Sequence, residues 1–499
     1  MDLQTALQQL AALQQKLYAF RTASSALYLD GVTVAPRDTS EGRGVALGIL
    51  AGEEHKLFSS AETGELIAYL ETQKEQLDQE QARQVQLLRR NYDQLSRIPA
   101  DEYMEYAQLV NQASDVWHRA KETSDFALFQ PVLEKLVAFN RKFAAYYDSK
   151  KAPYDALLNE YERGMTMDKL DVFFGTLRER LVPVIREIGQ VEQIDDSFLH
   201  KVYPIEDQRK FSDYLMEVLG MDRNHSTIGE TEHPFTLNFS SQDVRITTHY
   251  TETELAFSMY SVIHEGGHAL YELGVNPAYD YNCLAGGVSM GVHESQSRFY
   301  ENLIGRSLPF IQAIYPRVQG FFPEQLKDVT AEQFYKAVNK AEPSLIRTEA
   351  DELTYCFHVM IRYEIEKQLI GGTLEVKDVP AVWNALYQEY LGVDVPDDKH
   401  GCLQDSHWSG GSFGYFPSYA LGSAYGAQML QNMEKDIDVW GPVSKGDLSA
   451  VTGWLKDKIH KYGSLLEPSQ VVEQACGNFD PTVYTDYLAD KFRKLYNLK

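Results

Sequence analysis

Cysteine is scarce in this 499-residue sequence. There are four, Cys283, Cys356, Cys402 and Cys476, widely scattered and with no CxxC pair. That excludes a disulfide framework and suits a reducing compartment. Long hydrophobic runs are missing too: no window of about 18 apolar residues occurs, so no membrane-spanning segment is expected. The start, Met1-Asp-Leu-Gln-Thr, has no basic patch followed by an apolar stretch, and no signal peptide is expected. Positive charge is in deficit. The 47 Lys+Arg against 72 Asp+Glu give a formal charge of −25, which repels nucleic acid and anionic membrane, so neither is an expected partner. No repeat, low-complexity tract or linker marks a clean domain boundary. The expectation is a cytoplasmic chain long enough to bury a large core.

What is present is mostly helical periodicity. Apolar residues recur at helical spacing from Leu3 to Leu27, in a Gln/Glu-rich stretch from Glu65 to Arg97, and over 101–122, 126–149 and 167–190. The Gln/Glu-rich stretch reads as one exposed bundle helix or, less in keeping with its composition, a coiled-coil surface. The pattern changes near residue 230. His233-Pro-Phe through Asp243-Val-Arg-Ile-Thr247 is β-branched and aromatic with turn residues in its middle, and predicts a hairpin or small sheet whose edge could pair with an extended peptide. Helical patterns resume over 293–305, 331–340, 347–371, 378–391, 417–434, 446–461 and 480–497. The fold class is mainly α with a small β element.

The chemistry centres on His264-Glu265-Gly-Gly-His268. Histidines four apart on a helix lie about 40° from each other around its axis, so both imidazoles can converge on one ion. Glu265 falls on the same broad face, where a carboxylate can take a proton from water. Gly266 and Gly267 are unusual within a helix, each costing about 1 kcal/mol relative to alanine. Their flanks, Glu254 to Tyr260 and Ala269 to Leu273, are nevertheless good helix material, and bare glycines admit a close neighbour.

A catalytic zinc site needs a third protein ligand. After the Gly286–Gly291 loop comes His293-Glu294-Ser-Gln296, where Glu294 is the expected ligand and His293 its rival. Such a metal lowers the pKa of a water and polarises a carbonyl, with Glu265 as the base that later protonates the leaving amine. The oxyanion then needs a donor. Two segments could supply one: Gly401-Cys-Leu-Gln404-Asp405-Ser-His407-Trp408 and Gly414-Tyr415-Phe-Pro-Ser-Tyr419. Arg245 and Arg347 could hold a free carboxylate bidentately. Their bland alternative is structural pairing, Arg245 with Asp243 and Arg347 with Glu349 or Asp351.

In this order, His233-Pro-Phe235, Asp243-Val-Arg-Ile-Thr247, His264-Glu-Gly-Gly-His268, His293-Glu-Ser-Gln296, Ile346-Arg-Thr-Glu-Ala-Asp351 and Gly401-Cys-Leu-Gln-Asp-Ser-His-Trp408 resemble the carboxypeptidase Taq family of zinc metallocarboxypeptidases. The resemblance implies zinc held by His264, His268 and Glu294, with cobalt as a substitute, and Glu265 as base. It implies release of single C-terminal amino acids from peptides with a free C-terminus, with broad specificity and poor action on C-terminal proline. It further implies a homodimer, and one catalytic unit in which a deep groove separates a helical half (about 1–230) from a metal-site half (about 231–499). By analogy His407, Tyr415 and Tyr419 are expected as transition-state donors, and His233, Arg245 and Arg347 as peptide and carboxylate binders. The rival readings are an endo-acting oligopeptidase or dipeptidyl carboxypeptidase with the same metal site, and a helical peptide-binding protein that keeps zinc for structure.

Overall fold

Helix boundaries in the computed structural model, which describes residues 2–498 (Arg37 by its backbone only), follow the local capping chemistry. The first helix, Leu3–Thr33, starts where the Asp2 carboxylate accepts the Thr5 N–H at 2.9 Å, and runs six residues past the expected end. The expected single helix from Glu65 to Arg97 is two. One spans Ala61–Thr72, and a second, Gln79–Arg97, begins at a reciprocal cap between Asp78 and Gln81. The Asp78 side chain offers the backbone N–H of Gln81 a better partner than a continued helix would, and the chain restarts there. The helix expected from Arg347 begins instead at Tyr355, after a short turn at Arg347–Glu349.

Periodicity passed over the helices Ser40–Phe58, Pro153–Tyr161, Ile205–Val218, Leu308–Phe321 and Pro468–Cys476. In Ser40–Phe58 only Phe58 is buried, so there is no apolar stripe to read.

The β element is a three-stranded sheet ordered β1-β3-β2, with β1 Ser226–Glu230, β2 Thr236–Ser240 and β3 Asp243–Thr248. β2 and β3 are the expected antiparallel hairpin; β1, which pairs parallel to β3, was not foreseen. Val244 and Ile246 on β3 point into the core beneath the Leu255–Gly274 helix. One hydrophobic core runs from Leu87 to Tyr496 and takes in residues on both sides of position 230, Phe211 and Leu215 with Ile246 and Met259. A smaller core joins Ala6, Leu10, Leu17, Ile67 and Leu88. Among the described residues no helix is long and apolar enough to cross a membrane.

Candidate metal centre

His264 and His268 lie one turn apart on the Leu255–Gly274 helix, whose two internal glycines now have a physical reason. A Cβ on Gly267 would stand 2.6 Å from the Gln296 carbonyl oxygen and 2.7 Å from the Ser297 Cα. A Cβ on Gly266 would collide with Leu219. The bare backbone lets the short helix Met290–Arg298 cross at near contact, and that crossing brings Glu294 to the histidines.

One donor atom from each of His264, His268 and Glu294 lies within 4.8 Å of the others, and among the described residues no further His, Cys, Asp or Glu joins them. The Glu294 Oε2 is 3.8 Å from His264 Nε2 and 3.4 Å from His268 Nε2. Ligands about 2.1 Å from a tetrahedral zinc are roughly 3.4 Å apart, so this donor set fits the ion. The Nδ1 atoms are taken up elsewhere: His264 Nδ1 bonds Glu301 Oε2 at 2.8 Å and His268 Nδ1 meets His293 Nδ1 at 2.6 Å. His293, the rival ligand, therefore stands behind His268 and outside the cluster. Arg298 donates from Nε to Glu294 Oε1 at 2.8 Å and from Nη1 to Glu301 Oε2 at 3.1 Å.

Burial works against the Glu294 charge, but Arg298, His264 and His268 outweigh it and hold the carboxyl well below its usual range. Burial lowers His268 to about 3, which keeps the imidazole neutral as a metal ligand must be. Glu265 is 7 % exposed, and burial raises its pKa against the opposing pull of His264 and Thr236. The Thr236 hydroxyl on β2 lies 2.7 Å from Glu265 Oε2, which fixes the carboxylate beside the cluster without placing it in it.

A second wall carries aromatic groups. His407 Nε2 meets the Tyr419 hydroxyl at 3.1 Å, and its ring stacks on Phe416 at 4.3 Å. Burial and Arg347 lower His407 to about 4, so it is neutral near pH 7. Tyr415 and Tyr419 pack edge-on at 5.1 Å, and burial raises the pKa of both hydroxyls, with the Glu294 charge acting in the same direction.

A family model described as "Carboxypeptidase Taq (M32) metallopeptidase" matches residues 9–492. The chain belongs to that family. It is 38% identical to carboxypeptidase 1 of Bacillus subtilis (strain 168) over 501 residues, covering 100% of each. Its structure superposes on the M32 carboxypeptidase from Deinococcus radiodurans R1 with a TM-score of 0.96 at 36% identity, covering 99% of this chain and 100% of the other. Metallocarboxypeptidase 1 of Trypanosoma cruzi gives 0.93 at 34% identity, covering 99% of both. The protein is thus a metallocarboxypeptidase of the carboxypeptidase Taq family, and the mainly helical fold is the family's.

In this family member the remaining site residues fall in different places. Arg347 is buried, with Nε and Nη2 on Asp405 Oδ1 at 2.9 and 2.8 Å and Nη1 on the Tyr355 hydroxyl at 3.1 Å. Its structural partner is thus Asp405, from a segment 58 residues away, and not Glu349 or Asp351, because the turn at 347–349 aims the side chain inward. Arg245 forks onto Asp243 at 2.9 and 2.7 Å and lies over the Phe239 ring. His233 is exposed just ahead of β2.

Sequence reasoning missed Arg298 and Glu301, four and seven positions after Glu294, although that spacing shares one helical face. It missed Glu272 in the same way, four positions after His268. Thr236 left no local signal, because only the sheet brings it to Glu265.

Proposed function

We propose that this metallocarboxypeptidase uses zinc, held by His264, His268 and Glu294, to release single C-terminal amino acids from peptides with broad specificity and little action on C-terminal proline. The observation that carries the reading is the separation of roles in the site. Three donors face one point, while Glu265 is anchored by Thr236 beside them and left out of the set. When bound, the metal supplies a Lewis acid for the scissile carbonyl and lowers the pKa of a water. A purely structural site would have no use for such a base.

The chain's own groups do the rest in this reading. Glu265 takes the proton of the attacking water and returns it to the leaving amine; burial holds its pKa up, toward the operating range of a general base. Tyr415, Tyr419 and the neutral His407 serve as donors to the oxyanion from the opposite wall. The substrate runs beside β2, an outer strand of the sheet, along a cavity of about 410 Å³. Tyr18 and Arg21 of the first helix and Leu237 to Ser241 line that cavity. This supports a groove between a helical half ending near residue 230 and the metal-site half. His233 and Arg245 bind peptide near β2. Arg347 reaches the terminal carboxylate only where the Tyr355 hydroxyl yields Nη1, since Asp405 holds the other two nitrogens. The resemblance also carries cobalt as a substitute metal and a homodimer, and the four scattered cysteines suit a cytoplasmic location.

The deciding experiment gives the zinc-loaded protein one peptide in two forms, free acid and C-terminal amide, and follows both by mass spectrometry. Stepwise loss of single residues from the free acid alone is expected. Internal cuts in both forms would replace this reading with an endo-acting oligopeptidase, and release of dipeptides with a dipeptidyl carboxypeptidase.

A further inference from the structure

We propose that His293 is a positioning residue: with Glu272 behind it, it fixes the proton on His268 Nδ1 and thereby frees His268 Nε2 to bind the metal. The inference rests on the metal reading above and concerns groups outside the ligand set.

The direction of each hydrogen bond follows from the partners at the far end. Glu272 is 5 % exposed and accepts three: from Asn238 Nδ2 on β2 at 2.6 Å, from the Gly287 N–H at 3.0 Å and from His293 Nε2 at 2.7 Å. Since the carboxylate only accepts, His293 carries its proton on Nε2, and in the neutral ring Nδ1 is then an acceptor. Facing it at 2.6 Å is His268 Nδ1, which must donate. The lone pair of His268 is left on Nε2, the atom that faces Glu294 Oε2 at 3.4 Å. With both rings neutral, carboxylate, imidazole, imidazole and metal position form one line whose protons agree from end to end.

The loop ahead of the Met290–Arg298 helix is built around this line. A Cβ on Gly287 would stand 2.6 Å from His293 Cδ2 and 2.8 Å from the Tyr271 ring. Gly286, in the left-handed region at φ +82°, turns the chain so that the Gly287 N–H reaches Glu272. The two ligand histidines are thus oriented differently. His264 has the Glu301 carboxylate directly on Nδ1, whereas His268 reaches its carboxylate through a second imidazole.

The test measures the zinc dissociation constant of the full-length, metal-free protein by competition with a chromophoric chelator. His293→Phe keeps a ring and removes the acceptor; about a tenfold to hundredfold weaker zinc binding is expected. His293→Asn restores an oxygen near the Nδ1 position and should bring the constant back to within about threefold of the parent. Zinc affinity in His293→Phe within that same range of the parent overturns the proposal, and so does His293→Asn as weak as His293→Phe. If His293→Phe does not fold, Glu272→Ala decides: weaker zinc supports the line of bonds, an unchanged constant overturns it. A parent protein that bound no zinc would sink the metal reading itself, which is a different result.

Discussion

Gly422 and Glu294 are in direct contact: a Cβ built on Gly422 would stand 2.6 Å from the Glu294 Cβ and 2.9 Å from its carbonyl carbon. The helix Pro417–Asp436 therefore seats the Glu294 helix from behind, as Gly267 does from the front. Gly422→Ala forces the two helices apart. It is expected to cost roughly 1–3 kcal/mol and to weaken zinc binding by moving Glu294. Denaturant unfolding and a metal titration measure both, and parental values in both would show that the contact is slack.

Glu265→Gln keeps the size of the side chain and removes the proton acceptor. Turnover should fall about 10²–10⁴-fold while the zinc content stays at the parental level. Activity near that of the parent would take Glu265 out of the role of base.

Asp405 joins two buried arginines, Arg347 at 2.8 Å and Arg362 at 2.6 Å. Burial opposes its charge, but the two guanidiniums win and hold it far below the usual carboxylate range. Asp405→Asn leaves two buried cations without their anion, and a loss of about 3–5 kcal/mol is expected. The depressed pKa also gives the sign with pH: this stabilisation is present above about pH 4 and is lost as pH falls further. The variant should therefore lose less stability than the parent on acidification below that point. Urea unfolding on both proteins at several acidic pH values checks this, and parallel curves would refute it.

Glu162 and Glu366 behave in the opposite way. Burial pushes each carboxyl up to about 7, against hydrogen bonds from Ser289, Gly291 and Tyr425 in the first case and from Gly414, Trp408 and Tyr154 in the second. Between about pH 4.5 and 7 the folded chain holds protons that the unfolded chain releases, so the contribution is present below that window and lost as pH rises through it. Each group is worth about 3 kcal/mol at most across the window. Glu162→Gln should flatten the decline in stability between pH 5 and pH 8; an identical slope in parent and variant would count against the raised pKa.

The pairing of His264 with His268, the base between them and the helices at 126–147 and 379–391 are written in short-range spacing, because a helix repeats on itself and needs no partner to set its period. The family is likewise carried by motifs that stand intact in the chain. The folded structure decided the rest. Whether Glu294 or His293 faces the histidines depends on the angle at which two helices cross, and Gly267 and Gly422 set that crossing through contacts with residues far along the chain. Arg347 could have answered to either of two neighbouring carboxylates, yet it found Asp405, because a buried cation takes the anion the packing delivers and not the one nearest in sequence. Local spacing fixes which groups share a face; only the packed core fixes what that face meets.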